Sequence, residues 1–378
     1  MLKAVIFDMD GVLIDSEPLH YEANRLLLER KFGIALDYEY YKQYIGSTVT
    51  HLWEKTRKDL IMEGHKELEA YEAMELRNMA DEIKEELINA DGYIEIKGAP
   101  AFVKSLKGRY KLAVASSSYL KNIERNMNNL DIADYFDELV SGTQVKNPKP
   151  APDIFLLAAE KLGVLPQECL VIEDSENGVN AAKAAGITCV GFINENSGNQ
   201  NLGKADYLFE DFEGIDGDFL EMVHAHTFDE RYVVAETDRL CLREMLVEDV
   251  NDEACAKLIK TALHIEGMPD EKFTQYISDY RKNSYKFLGF GLWLLELKST
   301  GKVIGIAGID RQENGDFELG YYIDEAYRRQ GYAYEACEKI LSMKEELGAP
   351  EVTIRIKEDN VASLKLAEKL GIEIIKGV

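Results

Sequence analysis

The chain is poor in cysteine, proline and positive charge, and each scarcity closes off a class of function. Five cysteines (Cys169, Cys189, Cys241, Cys255, Cys337) are spread over 378 residues without metal-ligand spacing or pairing. They read as buried thiols of a reducing cytoplasm, not as a disulfide framework or a zinc site. Of the eight prolines, three fall together at Pro148, Pro150 and Pro152, which rules out a helix there. Lysine and arginine number 44 against 69 aspartates and glutamates, for a formal net charge of −25. Such a surface repels nucleic acid and anionic membrane, so neither is expected as a partner. No apolar run approaches the roughly 20 residues of a membrane span. The first apolar strand begins almost at Met1, where a signal peptide would otherwise stand. No repeat or low-complexity tract is visible, and the length suits two or three domains.

What is present is organised around Lys3 to Leu13, KAVIFDMDGVL. Ala4-Val5-Ile6-Phe7 has the length and composition of a fully buried parallel strand, and Asp8, Asp10 and Gly11 follow it directly. A charged helical stretch covers about 37–89, its apolar positions Leu52, Leu60, Leu68, Met74 and Leu87 widely spaced. From residue 98 the chain alternates helices with strands at 111–115, 138–140, 169–172, 188–192 and 205–209. That alternation predicts a doubly wound parallel α/β sheet. Right-handed crossovers then bring the strand ends to one rim. Asp8, Asp10, Ser116, Lys149, Glu173 and Asp174 all lie at such ends or in the turns beside them. Carboxylates for a hard cation, a lysine for charge neutralisation and a hydroxyl at a helix start together fit phosphoryl transfer.

Residues 1 to about 224 resemble the haloacid dehalogenase superfamily, in the branch with a helical cap after the first strand. The resemblance rests on FDMDGVL, AVASS, KPAPDIF and VIEDSENG. It implies core segments 1–14 and 98–224 around a cap at 15–97. It also implies Asp8 as nucleophile, Asp10 as general acid and base, and Ser116 and Lys149 as phosphate-binding residues. Mg²⁺ would be held by Asp8, Asp10 through its carbonyl, and Asp174, with Glu173 beside them. The substrate would be a small phosphorylated metabolite. DSEPLH, with His20 near the substrate, occurs in both β-phosphoglucomutases and sugar phosphatases of this branch. The mutases carry a cap arginine shortly after a glycine like Gly46, where this chain has Val49. Lys55, Arg57 and Arg77 remain as substitutes. Without a cap cation a bisphosphate would be held poorly, which favours a phosphatase.

After a polar connection at 225–236 the texture changes to β-rich antiparallel segments in an α+β order. Arg328-x-x-Gly331-x-Ala333 follows a strand and opens a helix, an arrangement that lets backbone amides approach a pyrophosphate. With FELGYY upstream and Asp359-Asn360-Val361-Ala362-Ser363 downstream, residues 237–378 resemble a GNAT N-acetyltransferase. The resemblance implies acetyl-CoA bound by Gln330, Gly331, Tyr332 and Ala333 with Asn360 nearby, and an amine acceptor. Glu318 or Tyr322 would assist proton transfer. The family continues past Gly371-Ile372 with a strand that closes the sheet. The few residues remaining here imply a unit that is shortened, inactive or completed by another chain. Acetyl transfer as the main activity, or a domain that only senses CoA, are the alternatives from other classes.

Overall fold

The computed structural model describes residues 1–45, 49–312 and 314–377. They divide into two compact units, Met1–Thr227 and Phe228–Val378. In the first, strands β1 (Ala4–Phe7), β2 (Lys111–Ser116), β3 (Glu138–Ser141), β4 (Cys169–Glu173), β5 (Thr188–Phe192) and β6 (Tyr207–Phe209) form a six-stranded sheet. The order is β3-β2-β1-β4-β5-β6 and every pairing is parallel. All four residues of β1 are fully buried, as a central strand covered by helices on both faces requires. Phe7 sits level with Val114 on one side and Ile172 on the other. The next residue of each strand therefore emerges on the same rim, and Asp8 N–H donates to the Ile172 carbonyl at 3.0 Å.

The cap leaves and re-enters the core through a two-residue antiparallel ladder, Ile14–Asp15 against Ile94–Glu95. Its helices are α1 (Glu17–Leu27), α2 (Tyr38–Lys42), α3 (Val49–Met62) and α4 (Ala73–Asp91). They close on a small core of Leu27, Leu28, Trp53, Leu68, Leu76 and Ala80. Leu52 and Leu68 of the widely spaced apolar positions are buried there, whereas Met74 is exposed.

The second unit is built on one seven-stranded sheet. Its strands are β7 (Val233–Glu236), β8 (Leu240–Arg243), β9 (Leu292–Leu297), β10 (Val303–Arg311), β11 (Phe317–Ile323), β12 (Val352–Lys357) and β13 (Glu373–Gly377). They lie in sequential order, antiparallel up to β11 and parallel from β11 to β13. Helices α5 (Tyr332–Ser342) and α6 (Val361–Leu370) make the two parallel crossovers.

Two expectations need correction. The polar connection at 225–236 is shorter than expected: residues up to Thr227 close a helix from Gly217, and Val233–Glu236 is an edge strand. His226 is buried in that helix, so its polarity misled. The strand expected to be missing after Gly371 is also formed, as β13 pairs with β12 from Thr353↔Glu373 onward. Among the described residues, no helix is long and apolar enough to cross a membrane.

Candidate active site

The rim above β1 holds a cavity of about 300 Å³ lined by Asp8, Asp10, Ser116, Lys149, Glu173 and Asp174, together with Asp15 and Glu17 from the cap entrance. Six residues spread over 167 positions are thus brought together. Lys149 is the hub: its Nζ donates to Asp8 Oδ1 at 2.5 Å, to Glu173 Oε1 at 2.7 Å and to the Ala115 carbonyl at 3.3 Å. It also lies 4.8 Å from the centre of the Phe155 ring. Burial works against its charge, but Asp8 and Glu173 outweigh burial and raise its pKa.

Glu173 is used up in holding this lysine. Its second oxygen accepts from Ser175 N–H at 2.7 Å and Ser175 Oγ at 2.9 Å. Gly178, opposite, is small by necessity, since a Cβ there would stand 1.6 Å from Glu173 Oε1. Asp10 is held from the other side by Ser118 Oγ at 3.1 Å and Ser116 Oγ at 3.4 Å. Burial raises its pKa, against the opposing effect of these hydroxyls. Asp174 accepts from Ser197 Oγ. Gly11, at φ +84°, leaves space that a Cβ would take from Asp174 Oδ2, 1.9 Å away.

The charge balance of this chamber is lopsided. Six carboxylates line it with one ammonium, and burial pushes Asp8 up to about 7 and Asp174 well above the usual carboxylate range. Carboxylates in that condition suit a divalent cation, whose charge reverses the effect. Among the described residues no three ligating side chains form a closed cage. Mg²⁺ in general takes one or two carboxylates and completes its shell with phosphate and water.

Several contributors were not foreseen. The loop after β5 clamps the rim through Asn194 Nδ2 to the Gly11 carbonyl at 3.0 Å and Asn196 Nδ2 to Asp15 at 2.6 Å. Its Asn-Gly-Ser composition carries no periodic signal. Lys84, on α4, lies 3.1 Å from Asp81 and within electrostatic reach of Asp10, Glu17 and His20. His20 is not in the chamber. It lines an adjoining cavity with Asn24, Tyr41 and Leu52, where burial first, and Lys84 after it, lower its pKa to about 4.

Residues 2–186 match the haloacid dehalogenase-like hydrolase model, and residues 239–373 match the acetyltransferase (GNAT) domain model. A phosphorylated carbohydrates phosphatase of Thermotoga maritima is 38% identical over 191 residues, 49% of this chain and 82% of that protein. The chain belongs to the haloacid dehalogenase-like hydrolases. The fructose-1-phosphate phosphatase YqaB of Escherichia coli is 33% identical over 49% of this chain and 94% of its own length. A β-phosphoglucomutase of Bacillus subtilis is 32% identical over 50% of this chain and 83% of its own. This hydrolase is therefore an enzyme of the phosphatase and phosphomutase kind, joined to a C-terminal GNAT acetyltransferase domain.

In that domain β11 and β12 pair only at Phe317↔Val352 and Glu318↔Thr353. Beyond them, Tyr321, Tyr322 and Ile323 line a cavity of about 640 Å³ with Gly331, Tyr332, Ala333 and Asn360. Gln330 does not line it: its carbonyl is turned toward Arg239 Nη1 at 3.0 Å and its side chain toward the Ala326 carbonyl. Asn360 Oδ1 accepts from Ser363 N–H at 3.2 Å, capping α6. Tyr322 lines the cavity, whereas Glu318 lies outside it and meets Arg355 at 3.4 Å.

Proposed function

We propose that the hydrolase unit releases phosphate from a small sugar phosphate through an aspartyl-phosphate, and that the GNAT domain binds acetyl-CoA. The bridge from Asp8 through Lys149 to Glu173, with Asp10 beside it in one buried chamber, supports the first reading. Asp8 attacks phosphorus as the bond to the sugar oxygen breaks, and Asp10 gives that oxygen its proton. A water then attacks the acyl-phosphate, losing its proton to Asp10, and the bond from phosphorus to Asp8 breaks. Ser116 and Lys149 bind the phosphoryl oxygens throughout. Asp8, Asp174 and the Asp10 carbonyl would hold Mg²⁺, which would supply charge neutralisation on the phosphoryl group and the nucleophile.

A phosphatase is favoured over a mutase by where the three cap cations named from the sequence go, while Lys84, the cap lysine within electrostatic reach of Asp10, is paired with Asp81. Arg57 is bound to the Leu68 and Glu69 carbonyls, Lys55 to Asp59, and Arg77 to Asp81. Gly46, Ser47 and Thr48 lie outside the described residues, as does the side chain of Val49, but none of the four is a cation. The cleft beyond Glu17 is lined by Glu22, Tyr21, Tyr38 and Tyr41, a surface for a neutral polyol and not for a second phosphate. Phosphate release should be measured over a panel including fructose 1-phosphate and β-glucose 1-phosphate. We expect release that stops on chelation and in Asp8→Asn. Glucose 6-phosphate formed from β-glucose 1-phosphate without phosphate release would establish the mutase instead.

For the GNAT domain, the support is a cavity that combines an opened sheet with the first turn of α5, where N–H groups have no intrahelical acceptor. Calorimetry should show acetyl-CoA binding by the wild type and its loss in Gly331→Glu. Turnover on a panel of amines then decides between an acetyltransferase and a CoA sensor. We place both activities in a reducing cytoplasm, in keeping with five free thiols.

A further inference from the structure

We infer that Arg239 is a positioning residue of the GNAT domain: it fixes the peptide plane that aims an amide of the α5 entrance at a pyrophosphate. This rests on the acetyl-CoA reading of the 640 Å³ cavity. Arg239 belongs to the tight turn between β7 and β8, 91 positions before the peptide it touches, and it does not line the cavity. Its Nη1 donates to the Gln330 carbonyl at 3.0 Å, and its guanidinium lies 4.2 Å from the centre of the Tyr332 ring. The fork is itself immobilised by Glu335, which accepts from Arg239 Nε at 2.7 Å and from Arg239 N–H at 2.9 Å. Thr237 Oγ1 donates to the same carboxylate at 2.5 Å. One side chain in the first turn of α5 therefore fastens the whole 237–239 turn to the helix.

The consequence follows from peptide geometry. In a trans peptide the carbonyl and the following N–H point in opposite directions. With the Gln330 carbonyl held against Arg239, the Gly331 N–H is directed away from it, and Gly331 lines the cavity while Gln330 does not. The segment needs such a restraint. Arg329 is a non-glycine residue at φ +59° and Gly331 stands at φ +88°, so the loop is not one that local preferences would select. A Cβ on Gly331 would come within 3.3 Å of Arg239 Nη2, which shows how closely the guanidinium follows the backbone. The first α5 bond runs from Glu335 N–H to the Gly331 carbonyl, leaving the amides before Glu335 for a ligand. A pyrophosphate suits those amides; the pantetheine arm does not need them.

The test exploits that difference in the full-length protein. Binding of acetyl-CoA is measured by calorimetry, and binding of acetyl-pantetheine, which lacks the pyrophosphate and nucleotide, by saturation-transfer NMR. Arg239→Ala should weaken acetyl-CoA about tenfold or more, the size of a hydrogen bond involving a charged group, and leave acetyl-pantetheine unchanged. Arg239→Lys keeps the charge but cannot bridge Gln330 and Glu335 together, and should fall between. If Arg239→Ala does not fold, Glu335→Gln, which loosens the fork without emptying the site, should show the same selective loss. Equal weakening of both ligands, or of neither, overturns the proposal. A wild type that binds neither ligand overturns the acetyl-CoA reading itself.

Discussion

Lys149 is buried with Asp8 and Glu173, and removing any one partner of such a group leaves an uncompensated charge. The arrangement depends on a residue that touches no reacting atom. Gly178→Ala would drive a methyl group into Glu173 Oε1, displacing the carboxylate that holds the lysine. We expect kcat for phosphate release to fall by about 10- to 100-fold, with an overpacking cost of about 1–3 kcal/mol. Steady-state kinetics beside urea unfolding would check both. His20 offers a pH test. Burial lowers its pKa to about 4, whereas the unfolded chain takes up that proton near 6.5. Between those values the unfolded state binds more protons, so His20 costs nothing above pH 6.5 and its penalty grows as pH falls toward 4. The loss at pH 5 should be about 1–2 kcal/mol. Relative to wild type, His20→Gln should gain that amount in unfolding free energy on going from pH 7.5 to pH 5. An unchanged difference would show that the imidazole is not excluded from water.

At the level of elements, the strand ends were legible and the loops were not. Apolar runs of four residues mark β1, β2 and β4, so Asp8, Ser116 and Glu173 follow from where the apolar run stops. The segment 193–200 has no such mark, yet Asn194, Asn196 and Ser197 reach three different parts of the rim. Val233–Glu236 was hidden for the opposite reason: an edge strand only partly buried among charged neighbours looks like a connection. Gln330 fits the local pattern of an anion loop, but its orientation is set by Arg239, which sequence proximity cannot show. The clamp after β5 leads to a prediction of its own. Asn194→Ala loses the bond to the Gly11 carbonyl beside Asp10 and Asp174 and should cost about 1 kcal/mol of stability. Because Gly11 then loosens against Asp174, kcat/KM should drop more than unfolding free energy alone accounts for. The comparison with Asn201→Ala, whose side chain accepts from Gly203 N–H within its own turn, isolates the effect.

At the scale of the whole molecule, each unit carries its own core. One apolar cluster runs from Ala235 to Ala367 in the GNAT domain, and three others lie between Leu2 and Val223 in the hydrolase unit. All the side chains of the phosphate chamber come from the first unit, and all those of the 640 Å³ cavity from the second. A unit with its own buried clusters and a site built from its own side chains should fold by itself. Residues 1–227 expressed alone are therefore expected to unfold in one cooperative transition and to keep kcat/KM for phosphate release within about twofold of the full chain. Ending at Thr227 respects the helix from Gly217, whose Leu220 and Val223 are buried against the first unit's core; ending before it would expose that face. If the fragment folds but loses phosphatase activity, the acetyltransferase domain acts on the hydrolase site, and acetyl-CoA added to the full chain should then alter the rate of phosphate release. If activity survives and acetyl-CoA leaves the rate unchanged, the two chemistries share a chain without sharing a site.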